Sequence, residues 1–113
     1  MRKEGEGDLL RIFIGESDRH EGRPLFEAIV QLARKRGLAG ATVLRGLEGF
    51  GAHSRVHTAK LLRLSEDLPI VIELVDRPER IEAFLPDLDA MVTEGMITLE
   101  KVRIIKYRQK EGD

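Results

Sequence analysis

The chain of 113 residues contains no cysteine and no tryptophan. Without cysteine it forms no disulfide and offers no thiol nucleophile or thiolate metal ligand. Aromatic residues make up only 4% of the chain, and no apolar run approaches the roughly 20 residues that a membrane-spanning helix needs. These absences exclude disulfide-stapled scaffolds, thiol enzymes and proteins that insert into membranes through helices.

An excess of charge of either sign is also missing. The 19 basic and 20 acidic residues leave a formal net charge of -1 at pH 7. This balance gives no long-range attraction to nucleic acid or to an anionic membrane, so we expect neither as a partner. Residues 1–8 lack the apolar stretch of a secretory signal peptide. We therefore expect a cytoplasmic protein.

Apolar residues, at 42% of the chain, suffice for one modest core. The charged, glycine-bearing residues 1–7 predict a flexible tail, residues 8–108 a single domain, and residues 109–113 a second tail. Strand-like apolar runs lie at 9–14, 41–47, 69–75 and 96–107.

Two segments between these runs have helical spacing of their apolar residues. The first begins near Pro24 and ends before Gly37, a typical residue just past a helix. In the second, Asp76 and Glu79 have the spacing of a capping box, and Pro86 predicts a kink or a weak turn.

The resulting order, β-α-β-β-α-β, predicts an α+β ferredoxin-like fold, an antiparallel sheet with two helices on one face. Residues 9–14 and 70–75 are apolar on both strand faces, so we expect oligomerisation through the open sheet face.

The stretch 46–60 combines three glycines with two of the three histidines. Gly46, Gly49 and Gly51 would let a ligand approach backbone N–H groups; a β-bulge with a turn is the alternative. His53 and His57 are four residues apart, the spacing of two metal ligands on one helix face, or they are solvated loop histidines.

Charged side chains near these glycines suggest further contacts. We prefer the hypothesis that Arg55 or Lys60 contacts a phosphate to the hypothesis that the histidines bind a metal. In the loop 15–22, Gly15 and Glu16 precede a helix N-terminus that attracts anions. The carboxylates there would repel phosphate and suit ribose hydroxyls, or the loop is simply solvated and capped.

Arg45, Lys101 and Arg103 lie on predicted strands. They pair with Glu73 or Glu100 across strands, or they contact phosphate. The sequence shows no nucleophile-elbow pattern around a serine. We therefore expect neither an enzyme nor a catalytic cofactor.

Specific motifs resemble a known family. Gly49-Phe50-Gly51 after the second strand resembles the base of the long T-loop in PII signalling proteins, and residues 102–104 resemble the Val-Arg-Ile of the family's last strand. Residues 11–16 and 64–69 match more closely the uncharacterised PII-like (GlnB-like) family, and this resemblance covers 9–107.

The resemblance implies a homotrimer that binds an adenine nucleotide in clefts between subunits. A T-loop-like excursion over 51–67, with its part 51–60 as the signalling loop, would then meet an unknown target protein. The candidate ligand-binding residues are Gly15, Glu16, His20, Arg45, Gly46, Gly49, Phe50, Gly51, His53, Arg55, Lys60 and Arg103.

Two departures from the PII pattern narrow the ligand. The junction 93–96 lacks the lysine of the PII phosphate loop, and Ile105 stands where PII proteins have a second arginine. AMP or ADP is therefore favoured over ATP. Two alternatives stay open. One is a CutA-like trimer that binds a divalent metal through His53 and His57, with His20 as a further candidate ligand, and the other is a protein-binding scaffold without a ligand.

Overall fold

A computed structural model of the chain describes residues 4–51, 57–58 and 67–110. These residues form two helices, α1 (Leu25–Lys35) and α2 (Pro78–Met91). They also form eight strands, which are in chain order β1 (Gly5–Gly15), β2 (Arg19–His20), β3 (Arg23–Pro24), β4 (Thr42–Arg45), β5 (Glu48–Gly49), β6 (His57–Thr58), β7 (Pro69–Asp76) and β8 (Met96–Ile104).

The main sheet has four strands in the order β4-β7-β1-β8, all antiparallel to their neighbours. This is the predicted ferredoxin-like arrangement, which the structure confirms. Two short ladders stand apart from the sheet. β2 pairs with β3 ahead of α1, and β5 pairs with β6.

The core lies between the two helices and one face of the sheet. Alternate residues of β1 and β7 are buried, because successive side chains of a strand point to opposite faces. The fully buried side chains from both layers include Leu10, Ile12, Ile72, Leu74, Ile29, Ile81, Phe84 and Leu88. Each stabilises the fold by about 2 kcal/mol through removal of apolar surface from water.

The predicted tail over residues 1–7 is wrong for Gly5 to Gly7, which belong to β1 and pair with Val102 to Ile104 of β8. Gly7 fits there because it has no side chain: a Cβ atom would lie 2.7 Å from Cδ1 of Ile104. The polar composition of this segment did not predict a strand. The segment is extended because it pairs with β8.

Asp76 does not cap α2, contrary to the prediction; the N-cap residue is Arg77, and no side chain caps the helix. The Asp76 carboxylate is fully buried instead. It accepts hydrogen bonds from the backbone N–H of Ala39 (2.9 Å) and of Arg77 (2.7 Å). It thereby fixes the connection from α1 to β4 against the start of α2. The helix itself continues through Pro86 to Met91.

Asp8 is the second buried carboxylate, and it lies directly opposite Asp76 on the neighbouring strand. Like charges in this position repel each other. Each has its own cation: Nζ of Lys101 is 3.0 Å from Asp8, and Nε of Arg80 is 3.4 Å from Asp76. The hydrogen bond to Asp8 raises the pKa of Lys101 above its ordinary value.

The other face of the sheet, which we call the open face, carries an apolar row that crosses all four strands. The strand register aligns Leu44, Val71, Phe13 and Met96. Leu44 is 48% exposed and Met96 60% exposed. Exposed apolar side chains in contiguous rows mark interaction surfaces.

A charged row lies beside the apolar row. Arg11 pairs with Glu73 at 2.9 Å and with Glu100 at 2.6 Å. The predicted pairing of Arg45, Lys101 or Arg103 with these two carboxylates is therefore wrong. The strand register sets Arg45 opposite Ile70, Lys101 beside Asp8 and Arg103 opposite Glu6.

No helix within the described ranges is long and apolar enough to cross a membrane.

We predict that Asp76→Ala lowers the free energy of unfolding by about 3 kcal/mol, because two part-buried N–H groups lose their acceptor and the Arg80 guanidinium loses its carboxylate. Urea denaturation measures this. The control is Asp89→Ala on the exposed side of α2, which should stay within about 0.5 kcal/mol of wild type. Equal losses for the two variants would contradict the role assigned to Asp76.

Candidate functional site

Several candidate residues meet at one end of the sheet, where β1 and β4 end and the antiparallel β7 begins. We call them the loop-end cluster: Gly15, Glu16, Arg45, Gly46 and Gly49. β8 also begins at this end, so the junction that precedes it lies nearby. Thus sequence positions far apart in the chain converge because the strands run antiparallel.

Glu16 and Arg45 form an ion pair within this cluster. Nη2 of Arg45 lies 3.0 Å from one carboxylate oxygen of Glu16 and 3.2 Å from the other. The pair joins the loop after β1 to the end of β4. It also means that the cation predicted to bind a ligand already has an acidic partner in the same chain.

The backbone donors of the loop after β1 are occupied by acceptors of the protein. The N–H of Gly15 donates to the Asp18 carboxylate (2.9 Å), and the N–H of Ser17 donates to the Asp67 carboxylate (2.7 Å). The N–H of Glu16 donates to the carbonyl of Leu68 (2.9 Å). These donors are therefore not available for an anion.

Gly46 and Gly49 pack against Pro69, the first residue of β7. The N–H of Gly46 donates to the Pro69 carbonyl at 2.7 Å. A Cβ atom would lie 3.3 Å from the proline ring at Gly46 and 2.9 Å from it at Gly49. Both glycines thus serve a close approach within the protein, whereas a Cβ at Gly51 would meet open space.

The chain leaves the cluster with apolar side chains in solvent. Leu47 and Phe50 are among the most exposed large apolar residues of the described ranges. In the same stretch Gly49 of β5 pairs with His57 of β6 in an antiparallel ladder, at the start of the predicted excursion.

Three candidate ligand-binding residues, His53, Arg55 and Lys60, lie outside the described residues. The His57 side chain, a metal-ligand candidate, lies outside them as well. In the part of the chain that the structure describes, no group of three or more potential metal-ligating side chains comes together.

His20 does not join the cluster. It lies in the β2–β3 ladder and lines a groove of about 450 Å³ between that ladder and the two helices, together with Lys35 and Met91. Its Nε2 atom is 3.9 Å from the carboxylate of Glu21.

Arg103 is also distant from the cluster within one chain. It lies opposite Glu6, seven positions along β8 from Met96. At the rise of a strand this places it roughly 23 Å from the loop end. Arg103 can take part in a ligand site at that end only if another subunit supplies it.

A cavity of about 320 Å³ beneath the C-terminal segment was missed from the sequence. Its walls come from the connection before β4, from β4, β7 and β8, and from the residues after β8; they are Ala39, Gly40, Ala41, Thr42, Glu73, Val75, Ile104, Lys106 and Tyr107. A small concave space with apolar walls and a few polar groups is typical of ligand sites.

Tyr107 holds the C-terminal segment over this cavity. Its N–H donates to the Glu4 carboxylate at 3.0 Å, and its hydroxyl donates to the carbonyl of Ala39 at 3.3 Å. The strand predicted to reach Tyr107 therefore ends at Ile104. The one signal in the sequence was that Tyr107 is the only tyrosine of the chain.

Comparisons with known proteins support this fold. Residues 7–104 match the model of the family DUF190, described as Uncharacterized ACR, COG1993. A UPF0166 protein of Aquifex aeolicus (strain VF5) is 40% identical over 97 residues, which cover 86% of this chain and 91% of that protein.

Solved structures share the architecture at low sequence identity. The chain is similar to CPII, a nitrogen regulatory PII-like protein from Thiomonas intermedia K12 bound to ADP, AMP and bicarbonate, with a TM-score of 0.60, 21% identity, and coverage of 89% of this chain and 90% of that one. It is also similar to the divalent ion tolerance protein CutA1 from Ehrlichia chaffeensis, with a TM-score of 0.57, 8% identity, and coverage of 92% and 86%. The fold is thus PII-like.

We predict that Gly49→Ala lowers the free energy of unfolding by about 1–2 kcal/mol, because its methyl group would press against the Pro69 ring. Gly51→Ala is the matched control, since its methyl group would enter open space. Thermal denaturation of both variants measures the difference. If Gly49→Ala were as stable as Gly51→Ala, close packing would not explain the glycine.

Proposed function

We propose that this chain, which belongs to the DUF190 family of PII-like proteins, is a trimeric regulatory protein that binds an adenine nucleotide between its subunits. The ligand is AMP or ADP rather than ATP. The observation that carries the proposal is the presence of two incomplete sites in one chain, the loop-end cluster and the cavity beneath the C-terminal segment.

Each incomplete site supplies what the other lacks. The loop-end cluster offers a guanidinium and a carboxylate, and the described apolar side chains that follow it, Leu47 and Phe50, lie in solvent. The cavity offers apolar walls at Ala41, Val75 and Ile104, with Lys106 at its edge. Association through the open face would set the cluster of one subunit beside the cavity of the next.

An adenine nucleotide has matching chemistry. Its base fits between apolar walls and the Tyr107 ring, and its ribose hydroxyls can donate to a carboxylate such as Glu16. Its phosphate suits Arg45, with Lys106 or Arg103 from the neighbouring subunit as a further cation. The structure of CPII with ADP and AMP gives a precedent on the same fold.

The small number of cations supports a ligand with few phosphates. Arg45 is the one positive charge among the five residues of the loop-end cluster. The junction 93–96, which lies at the same end of the sheet, contains no lysine or arginine. A triphosphate would bring more negative charge than these groups can compensate.

The open face suits a homotrimer. The apolar row through Phe13 and Leu44 loses its contact with water when a second copy packs on it. The charges of Arg11, Glu73 and Glu100 beside it are paired within the chain, so the contact does not bury them without partners. Because the open face belongs to the same sheet that carries both incomplete sites, assembly and ligand binding would depend on each other.

The excursion between β5 and β7 is the proposed output. Its start follows Arg45, and its end is held by Asp67 and Leu68 against the loop after β1. Ligand binding at this root would change the loop 51–60, including His53, Arg55 and Lys60, which would then meet a target protein. The proposed role is regulatory, with no catalytic step.

Native mass spectrometry tests the assembly. We predict three copies of the 12.8 kDa chain for wild type and single copies for Phe13→Glu, which places a charge in the apolar row. Ala90→Glu, on the exposed side of α2, should remain trimeric. A wild-type monomer, or a trimer that survives Phe13→Glu, would contradict assembly through the open face.

Isothermal titration calorimetry tests the ligand. We expect one AMP or ADP per subunit and weaker binding of ATP. Tyr107→Ala should weaken AMP binding about tenfold by removing a wall of the cavity, while Tyr107→Phe keeps the ring and stays near wild type. Absence of heat with all three nucleotides at millimolar concentration would refute the proposed function.

A further inference from the structure

The Glu16–Arg45 ion pair suggests how the site selects its ligand by charge. Resting on the nucleotide site proposed above, we propose that Glu16 is a specificity-determining residue: its carboxylate occupies the position on Arg45 that a ligand phosphate would take, and it competes with that phosphate.

The geometry of the pair makes this competition direct. Both carboxylate oxygens of Glu16 lie within 3.0–3.2 Å of one Nη2 atom of Arg45. A guanidinium binds carboxylates and phosphates through the same N–H donors, so a phosphate that binds Nη2 must displace Glu16 from it. The Glu16 side chain is 30% exposed and the Arg45 side chain is 59% exposed. A ligand can therefore reach the pair from solvent.

Four backbone N–H groups of the described residues around the pair are already engaged. The N–H groups of Gly15, Glu16 and Ser17 donate to acceptors of the protein, as does that of Gly46. Asp18 and Asp67 are the acceptors of two of these bonds, and they therefore stay fixed beside the pair. Among the described residues at this end of one subunit, an arriving phosphate meets three carboxylates and the Arg45 guanidinium, and the further cation proposed above comes from the neighbouring subunit.

This balance makes each added phosphate less favourable. The first phosphate gains Arg45 when it displaces Glu16, and the displaced carboxylate can accept hydrogen bonds from the ribose hydroxyls. A second or third phosphate adds negative charge near Asp18 and Asp67 without a further cation from the cluster. The displaced Glu16 carboxylate stays beside the ligand and adds its own repulsion for each further phosphate, so Glu16 would favour AMP over ADP and ADP over ATP.

The test compares wild type with Glu16→Gln, which keeps the shape of the side chain and removes its charge. Calorimetric titrations use adenosine, AMP, ADP and ATP. We expect Glu16→Gln to bind AMP about tenfold more tightly than wild type, with larger gains for ADP and ATP and a change of less than about twofold for adenosine. Adenosine carries no phosphate and so reports every effect of the substitution except the competition.

Two further variants isolate the pair. Glu27→Gln removes a charge from the exposed first turn of α1 and should leave all four affinities unchanged. In an Arg45→Gln background the gain from Glu16→Gln should disappear, because the donor for which the two acceptors compete is absent.

Unchanged or weaker AMP binding by Glu16→Gln, or an equal gain in the Arg45→Gln background, would overturn the inference while leaving the nucleotide site in place. If no adenine compound binds to either protein, the proposed function is wrong, and pyrophosphate then decides the inference. Its titration is followed by the NMR signal of the Arg45 Nε–H group. Tighter binding to Glu16→Gln than to wild type supports competition, and equal or undetectable binding to both proteins overturns it.

Discussion

The structure depends on the position of β1 between two strands. β1 pairs with β7 on one side and with β8 on the other over nearly its whole length. Its alternating side chains therefore divide the molecule into a face covered by helices, with Leu10 and Ile12, and an open face, with Arg11 and Phe13. The loop-end cluster lies where β1 ends, and the cavity beneath the C-terminal segment lies beside the strands that begin or end near its start.

The parts of the fold that follow from local pattern were predictable. β7 and the two helices have the expected periodicity, and the β-α-β-β-α-β order leaves few ways to build a sheet. The resemblance to the uncharacterised PII-like family is confirmed by the family match. The sequence could not predict the role of Asp76. A carboxylate at a helix start can cap the helix or turn inward, and here it turns inward to accept the hydrogen bond of Ala39, which is remote in sequence.

The sequence predicted which residues come together at the candidate site better than it predicted what those residues contact. Gly15, Glu16, Arg45, Gly46 and Gly49 do converge, but the glycines lie against Pro69 and not around an open space. A glycine-rich stretch predicts close approach of some group to the backbone, and the chain itself can provide that group. Tyr107 was missed because its bonds to Glu4 and Ala39 join residues that are remote in sequence.

The pairing of β1 also has a consequence for synthesis on the ribosome. β1 is made first, yet its partners follow much later: Leu10 pairs with Leu74, and Gly5 pairs with Ile104. A nascent chain thus holds this apolar strand without a neighbour until β7 emerges, and the sheet is complete only with β8. Such distant pairings slow folding and leave apolar strand edges exposed during synthesis.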